Sequence, residues 1–172
     1  RALIQAVSNN DNVPNVVVGV GSEIQTAPEP ERFRQTTGIE GPLMIYIGRI
    51  DKNKGCNELF DYFQRYARLS PELTLVVIGK AIMPIPDHPQ IRHLGFVTDQ
   101  QKFDALAAAE LLVMPSYYES LSMVTLEAWA LSRPVLVNGR CDVLCGQSIR
   151  SNAGLHYNNY EEFAETLHAI LS

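Results

Sequence analysis

The sequence predicts an α/β fold, a three-layer Rossmann-like domain in which a parallel sheet is flanked by helices. Two observations predict it. Short apolar segments rich in branched residues alternate along the chain with longer amphipathic segments, which is typical of strands joined by crossover helices. The apolar segments are nearly continuous instead of alternating, as expected of parallel strands buried on both faces. A chain of 172 residues with 46% hydrophobic residues is long enough for one well-buried core.

The strands follow the apolar segments in order. Four are predicted with clear bounds and one is weaker, at residues 91–94. The four are Leu43 to Ile47, Leu73 to Ile78, Leu111 to Met114 and Pro134 to Val137.

The helices follow the 3.6-residue period. Cys56, Leu59 and Phe63 lie on one face of a predicted helix over residues 55–69. Thr98-x-x-Gln101 has the form of a capping box and predicts a helix beginning there. Apolar residues from 160 to 171 recur at helical spacing, which predicts a C-terminal helix.

Residues 1–42 have a different composition, with proline, glycine and asparagine around one apolar run, Val16 to Val20. We interpret them as a lead-in strand and a linker, with Ala27 to Pro30 as a stiff extended piece. The predicted boundaries are a lead-in over 1–12 and one domain over 13–172. A chain that begins at Arg1 in connecting sequence is expected to be part of a longer protein.

Composition argues against several classes of function. A net charge of −5 disfavours nucleic acid as a partner. Three cysteines, the last two spaced C-x3-C, fit neither a zinc site nor a redox dithiol, and Cys56 is expected in the core. No transmembrane segment or signal peptide is recognisable, so a cytoplasmic location is the default expectation.

Three common ligand motifs are incomplete. Gly19-x-Gly21 is followed by Ile24 where a dinucleotide fingerprint has its third glycine. Gly79-Lys80 lacks the upstream glycine of a phosphate-binding loop. No Asp-x-Asp pair offers a carboxylate clamp for a metal. We therefore expect no cofactor and no metal.

The most specific motif joins a predicted strand to a helix over residues 115–128. Ser120, Leu121 and Ser122 would present backbone N–H groups at a helix N-terminus, where anions bind. Glu119 and Glu127 are eight residues apart, about 12 Å along a helix, so one ligand could contact both. Carboxylates accept hydrogen bonds from sugar hydroxyls, which makes a nucleoside diphosphate sugar a suitable ligand.

A second motif, Gly48-Arg49-Ile50-Asp51-Lys52-Asn53-Lys54-Gly55, also lies between a strand and a helix. Arg49 could fork two hydrogen bonds to phosphate oxygens, and Lys54 could act as a point charge. The two residues are therefore candidates for neutralising a diphosphate without a metal.

Together these motifs resemble the C-terminal domain of the retaining glycosyltransferase family 4. The resemblance is carried by Tyr46-Ile47-Gly48-Arg49 with Lys54-Gly55, by Leu94-Gly95-Phe96-Val97, and by Glu119-x7-Glu127 with Pro134-Val135 in the same order. It implies one half of a GT-B fold, the donor-binding half, whose partner would be an N-terminal acceptor domain.

The resemblance also implies roles. Arg49 and Lys54 match the pair that holds the donor diphosphate, and Glu119 matches the acidic residue that contacts the transferred sugar, nearest to catalysis. Glu127 matches the ribose-binding residue. Phe96 and Val97 match the stretch that borders the nucleobase. The implied enzyme is a hexosyltransferase that uses a UDP-, GDP- or ADP-sugar, retains anomeric configuration and needs no metal.

Some positions depart from the family pattern. Ser120-Leu121-Ser122 stands where many members have a glycine-rich triplet, and Arg140 is expected to lie in a solvated loop. Two alternatives stay open: half of a sugar-nucleotide epimerase of the same architecture, or a non-catalytic nucleotide-binding module. The fragment alone is expected to be inactive, and a membrane-peripheral location stays open for the full-length protein.

Overall fold

The computed structural model describes residues 20–172, in which a six-stranded sheet is flanked by six helices. The strands lie in the order β3-β2-β1-β4-β5-β6, and every neighbouring pair is parallel. In chain order the elements are α1 (Pro30–Thr37), β1 (Leu43–Ile47), α2 (Cys56–Tyr66), β2 (Thr74–Ile78), β3 (Ile91–Gly95), α3 (Asp99–Ala108), β4 (Leu111–Met114), α4 (Met123–Ala130), β5 (Val135–Asn138), α5 (Asp142–Ser151), β6 (Gly154–Tyr157) and α6 (Tyr160–Leu171).

The predicted fold class is confirmed. The bounds of β1 and β4 match the prediction, and both strands are buried along their whole length. The capping box of α3 is present, since the Thr98 hydroxyl accepts a hydrogen bond from the Gln101 N–H. Cys56 lies in the core, as predicted.

The core forms one layer on each face of the sheet, because successive side chains of a strand point to opposite faces. On one face Met44 and Tyr46 of β1 pack in a cluster with Phe63 of α2 and Phe163 of α6. On the other face Ile45 lies in a second cluster, with side chains of α1, α3, α4 and α5.

The prediction of an extended linker up to residue 42 is wrong, because Pro30–Thr37 form α1. A proline in the first turn suits a helix start, and Gly38 ends the helix in the left-handed conformation. An ion pair fixes the helix on α3: Arg32 donates from Nε to Asp104 Oδ2 at 2.6 Å and from Nη2 to Oδ1 at 2.8 Å. The predicted lead-in strand and the boundary at residue 13 lie outside the described residues.

Two further elements of the structure, α5 and β6, were not predicted. Helix α5 contains a glycine and buries the polar side chains Gln147 and Ser148, so its apolar period is weak. Strand β6 is a four-residue edge strand with two exposed positions. Ser132 adopts a φ of 58°, in the left-handed region that favours glycine.

The strand order places a topological switch point between β1 and β4, because the chain proceeds from β1 towards β3 on one side and from β4 towards β6 on the other. In open α/β sheets the loops after such strands form the binding crevice. The loops that carry both predicted motifs therefore lie next to each other. Among residues 20–172, none of the helices combines the length and the apolar character needed to cross a membrane.

Candidate functional site

Two loops meet at the switch point, one after β1 (residues 48–55) and one after β4 (residues 115–122). Gly55 ends the first loop with a φ of 71°. A Cβ atom at this position would lie 2.1 Å from the backbone oxygen of Pro115 in the second loop. The two loops are therefore in direct contact, and the absence of a side chain at residue 55 permits this approach.

The contact brings two predicted site residues together. Lys54 Nζ lies 2.6 Å from Glu119 Oε1, and only 13% of the Glu119 side chain is exposed. An ammonium group has three donors, so this pair engages one and leaves two for a ligand. Lys54, predicted to bind the diphosphate, and Glu119, predicted to contact the sugar, are therefore direct neighbours in the structure.

Asp51, for which no role was predicted, links Arg49 to Lys54. Its buried carboxylate accepts hydrogen bonds from Arg49 Nε and, at 2.9 Å, from the Lys54 N–H. Burial acts to raise the pKa of Asp51, but these hydrogen bonds outweigh it and hold the pKa below its ordinary value. The spacing Arg-x-Asp-x-x-Lys within one loop was the signal that could have identified Asp51.

Glu127 lies on α4 and contacts Lys102 of α3, whose Nζ donates to Oε1 at 3.1 Å. The other carboxylate oxygen, Oε2, is buried and has no hydrogen-bond partner among residues 20–172. Lys102 was not predicted as a site residue, because 25 residues separate the pair and no local pattern connects them.

A groove of about 400 Å³, which we call the edge groove, runs along the ends of β1, β2 and β3. Arg49, Phe96, Val97 and Lys102 line it together with Lys80. Phe96 is 92% exposed, so its ring is available to a ligand. The structure therefore brings the predicted nucleobase stretch to the same groove as the predicted diphosphate residue Arg49.

The Ser120-Leu121-Ser122 segment precedes α4, as predicted, but its members differ. Ser122 is buried and caps the helix, since its hydroxyl accepts from the Thr125 N–H at 3.2 Å. Its own N–H donates to Gln147 Oε1 at 3.4 Å. Ser120 is exposed and Leu121 partly buried, so these two residues are better placed than Ser122 to meet a ligand.

The sheet order, with a charged site at its switch point, defines a Rossmann-like α/β domain of the kind found in GT-B glycosyltransferases. The chain belongs to the family described as glycosyl transferases group 1, whose family model matches residues 41–172.

Proteins with similar sequences and structures include glycosyltransferases and a synthase. Mannosylfructose-phosphate synthase of Agrobacterium fabrum is 30% identical in a 124-residue alignment that covers 62% of this chain and 27% of that protein. The C-terminal domain of the group 1 protein LpcC from Francisella tularensis superposes with a TM-score of 0.67 at 23% identity, covering 89% of this chain and 88% of that chain. HepE of Anabaena, in complex with UDP and glucose, has a TM-score of 0.69 at 20% identity over 88% of this chain and 46% of that chain.

Proposed function

We propose that this chain binds the nucleoside diphosphate sugar of a retaining, metal-independent glycosyltransferase of family 4. The observation that carries the proposal is Glu127 Oε2, which is buried without a partner among the described residues while Oε1 contacts Lys102. A buried carboxylate oxygen without a donor costs stability. A ribose hydroxyl would supply that donor.

The cations of the site suit a diphosphate. Arg49 uses Nε on Asp51, which leaves its two terminal amino groups for phosphate oxygens. Lys54 retains donors beyond the one that contacts Glu119. When the bond to the sugar breaks, negative charge grows on the leaving diphosphate, and preorganised cations stabilise that charge most effectively.

The carboxylate of Glu119 would contact the transferred sugar. Its 2.6 Å contact with Lys54 supports this role, because the sugar and the adjacent phosphate of a donor are covalently linked and must bind side by side. Phe96 and Val97 would border the nucleobase in the edge groove. HepE was solved with UDP and glucose, so UDP and UDP-glucose are the first ligands to test.

Transfer itself would require an N-terminal acceptor domain in the longer protein. The chain spans 27% of the length of mannosylfructose-phosphate synthase, which supports this view. An epimerase of the same architecture would release an altered sugar nucleotide, or free sugar, without an acceptor. Product analysis on the full-length protein with and without an acceptor therefore separates a transferase from an epimerase.

Glu127→Ala and Arg49→Ala are each expected to weaken nucleotide binding by about 10- to 100-fold, since each removes a charged hydrogen-bond partner of the ligand. Isothermal titration calorimetry with UDP, GDP, ADP, UDP-glucose and GDP-mannose, with magnesium and with EDTA, measures this effect. One nucleobase should bind selectively, and EDTA should leave its affinity unchanged.

Matched controls are Glu161→Ala and Arg65→Ala, because Glu161 and Arg65 are exposed and contact each other on α6 and α2. Both control variants should bind as the wild type does. If Glu127→Ala and Arg49→Ala also keep wild-type affinity, the nucleotide does not occupy the edge groove and the proposal fails.

Asp51→Asn is expected to weaken binding of the preferred nucleoside diphosphate by about tenfold without unfolding the chain. The amide keeps the shape of the carboxylate but loses the charge that orients Arg49. Calorimetry gives the affinity, and thermal unfolding shows whether the variant is folded. Unchanged affinity in a folded variant would mean that Arg49 reaches the diphosphate without guidance from Asp51.

A further inference from the structure

A second polar cluster lies at the same edge of the sheet, beside the Lys54–Glu119 pair. We call it the Arg140 cluster, and it consists of Glu58 on α2, Tyr117 after β4, Asn138 at the end of β5, and Arg140. Arg140 lies in an exposed turn, as expected, but it also contacts the other members of the cluster. Its Nη2 donates to Glu58 Oε1, and its guanidinium carbon lies 4.8 Å from the centre of the Tyr117 ring.

Asn138, whose side chain is buried, connects the Arg140 cluster to the end of β5 through hydrogen bonds. Asn138 Oδ1 accepts from the Arg140 N–H at 3.0 Å and from Arg140 Nε at 3.2 Å. The Asn138 amide donates to the backbone oxygen of Pro115 at 3.0 Å. One buried amide therefore orients the arginine and at the same time fixes the beginning of the loop after β4.

Glu58 connects this cluster to α2. Its side chain is only 15% exposed, and Oε2 accepts from the Tyr117 hydroxyl at 3.4 Å. The hydrogen bond to Glu58 raises the pKa of Arg140, so the guanidinium stays charged at any working pH.

The loop after β4 is thus tied to α2 and its preceding turn at three successive points. Pro115 lies against Gly55 and accepts from Asn138. Tyr117 contacts Glu58 and Arg140, and Glu119 contacts Lys54. The first two points act on the loop before it reaches Glu119, so they set the position of that carboxylate.

We propose that Arg140 is a positioning residue, which holds the loop over residues 115–119 against α2 so that Glu119 stays beside Lys54. The effect on the loop is independent of any ligand, whereas the effect on sugar binding rests on the function proposed above. Two donor groups of Arg140, Nε and Nη2, are directed at Asn138 and Glu58, which suits a positioning role.

The control is Arg65, which matches Arg140 in exposure and also contacts a glutamate and a tyrosine ring, but at another place in the fold. Both side chains are 45% exposed, both contact a glutamate, and Arg65 lies 3.5 Å from the centre of the Tyr160 ring. Arg65 and Tyr160 belong to α2 and α6. Arg65→Ala therefore removes an ion pair and a cation–π contact without affecting the loop after β4.

Hydrogen–deuterium exchange by mass spectrometry tests the proposal on the chain without a ligand. In Arg140→Ala the backbone amides of residues 116–122 should exchange about tenfold faster than in the wild type, because the loop opens more often. Arg65→Ala should leave the exchange rate of this segment unchanged. Arg140→Lys should give an intermediate rate, since lysine keeps the positive charge but lacks the planar set of guanidinium donors. If residues 116–122 of Arg140→Ala exchange at the wild-type rate, the positioning role is refuted.

A second measurement compares UDP with UDP-glucose, and GDP with GDP-mannose, in the same variants. Arg140→Ala should lose affinity for the sugar nucleotide by about fivefold while it binds the nucleoside diphosphate within about twofold of the wild type. Equal loss for both ligands would show that Arg140 acts on the diphosphate, against the proposal. If the wild type binds no nucleotide, the proposed function fails, and the exchange experiment still decides the role of Arg140.

Discussion

Gly55→Ala is expected to lower the free energy of unfolding by about 3 kcal/mol or more, from two causes. The φ of 71° at this residue costs a residue with a side chain about 1–2 kcal/mol. The new Cβ would also lie 2.1 Å from the Pro115 oxygen, so the backbone of one loop must move. Urea unfolding followed by circular dichroism gives the change.

Gly38→Ala separates the two causes. Gly38 has a similar φ of 69°, but no heavy atom lies within 4 Å of the Cβ position. This variant should lose only about 1–2 kcal/mol. If Gly55→Ala loses no more than Gly38→Ala, then the loop contact at Pro115 relaxes at little cost and is weaker than the geometry indicates.

Asp104→Asn is expected to lower the free energy of unfolding by about 2 kcal/mol at pH 7. The side chain is 3% exposed, and the hydrogen bond from Arg32 is the main cause that lowers its pKa to about 2 from an ordinary 3.8. A carboxyl group with a lowered pKa stabilises the fold above its unfolded-state pKa. The contribution is therefore complete above about pH 4 and is lost as the pH falls towards 2.

Urea unfolding of the wild type and Asp104→Asn at pH 7, 4, 3 and 2 measures this effect. The difference between the two proteins should be largest at pH 7 and should shrink below pH 4. Asp61→Asn is the control, because Asp61 is an exposed aspartate on a helix and its replacement should change stability little. A difference that stays constant from pH 7 to pH 2 would mean that the charge of Asp104 does not stabilise α1.

The sequence predicts the centre of the fold well, for a physical reason. Strands β1 and β4 are buried along their whole length, so hydrophobicity alone marks their bounds. Helix α1 buries only Phe33 and depends on Asp104, which is 72 residues from Arg32. Such a distant contact leaves no local pattern, and this explains why α1 was mistaken for a linker.

In the candidate site, too, residues within a local sequence pattern were predicted and contacts between distant residues were not. Glu119 and Glu127 are predicted as site residues because their spacing follows the strand-to-helix connection, and Lys54 because it lies in a short basic loop. Contacts between residues far apart in the sequence were not predicted. Lys102 and Arg140 each contact a glutamate on another element, 25 and 82 residues away, and only the strand order reveals which loops become neighbours.

The ion pair between α1 and α3 also affects where a stable domain must begin. The family model begins at residue 41, after α1 has ended. A protein cut at that point would lose Arg32 and the Glu29 N–H, which donates to Asp104 at 2.7 Å, and would keep only Gln100 as a neighbour of this carboxylate. An excised domain of this protein should therefore begin before Glu29.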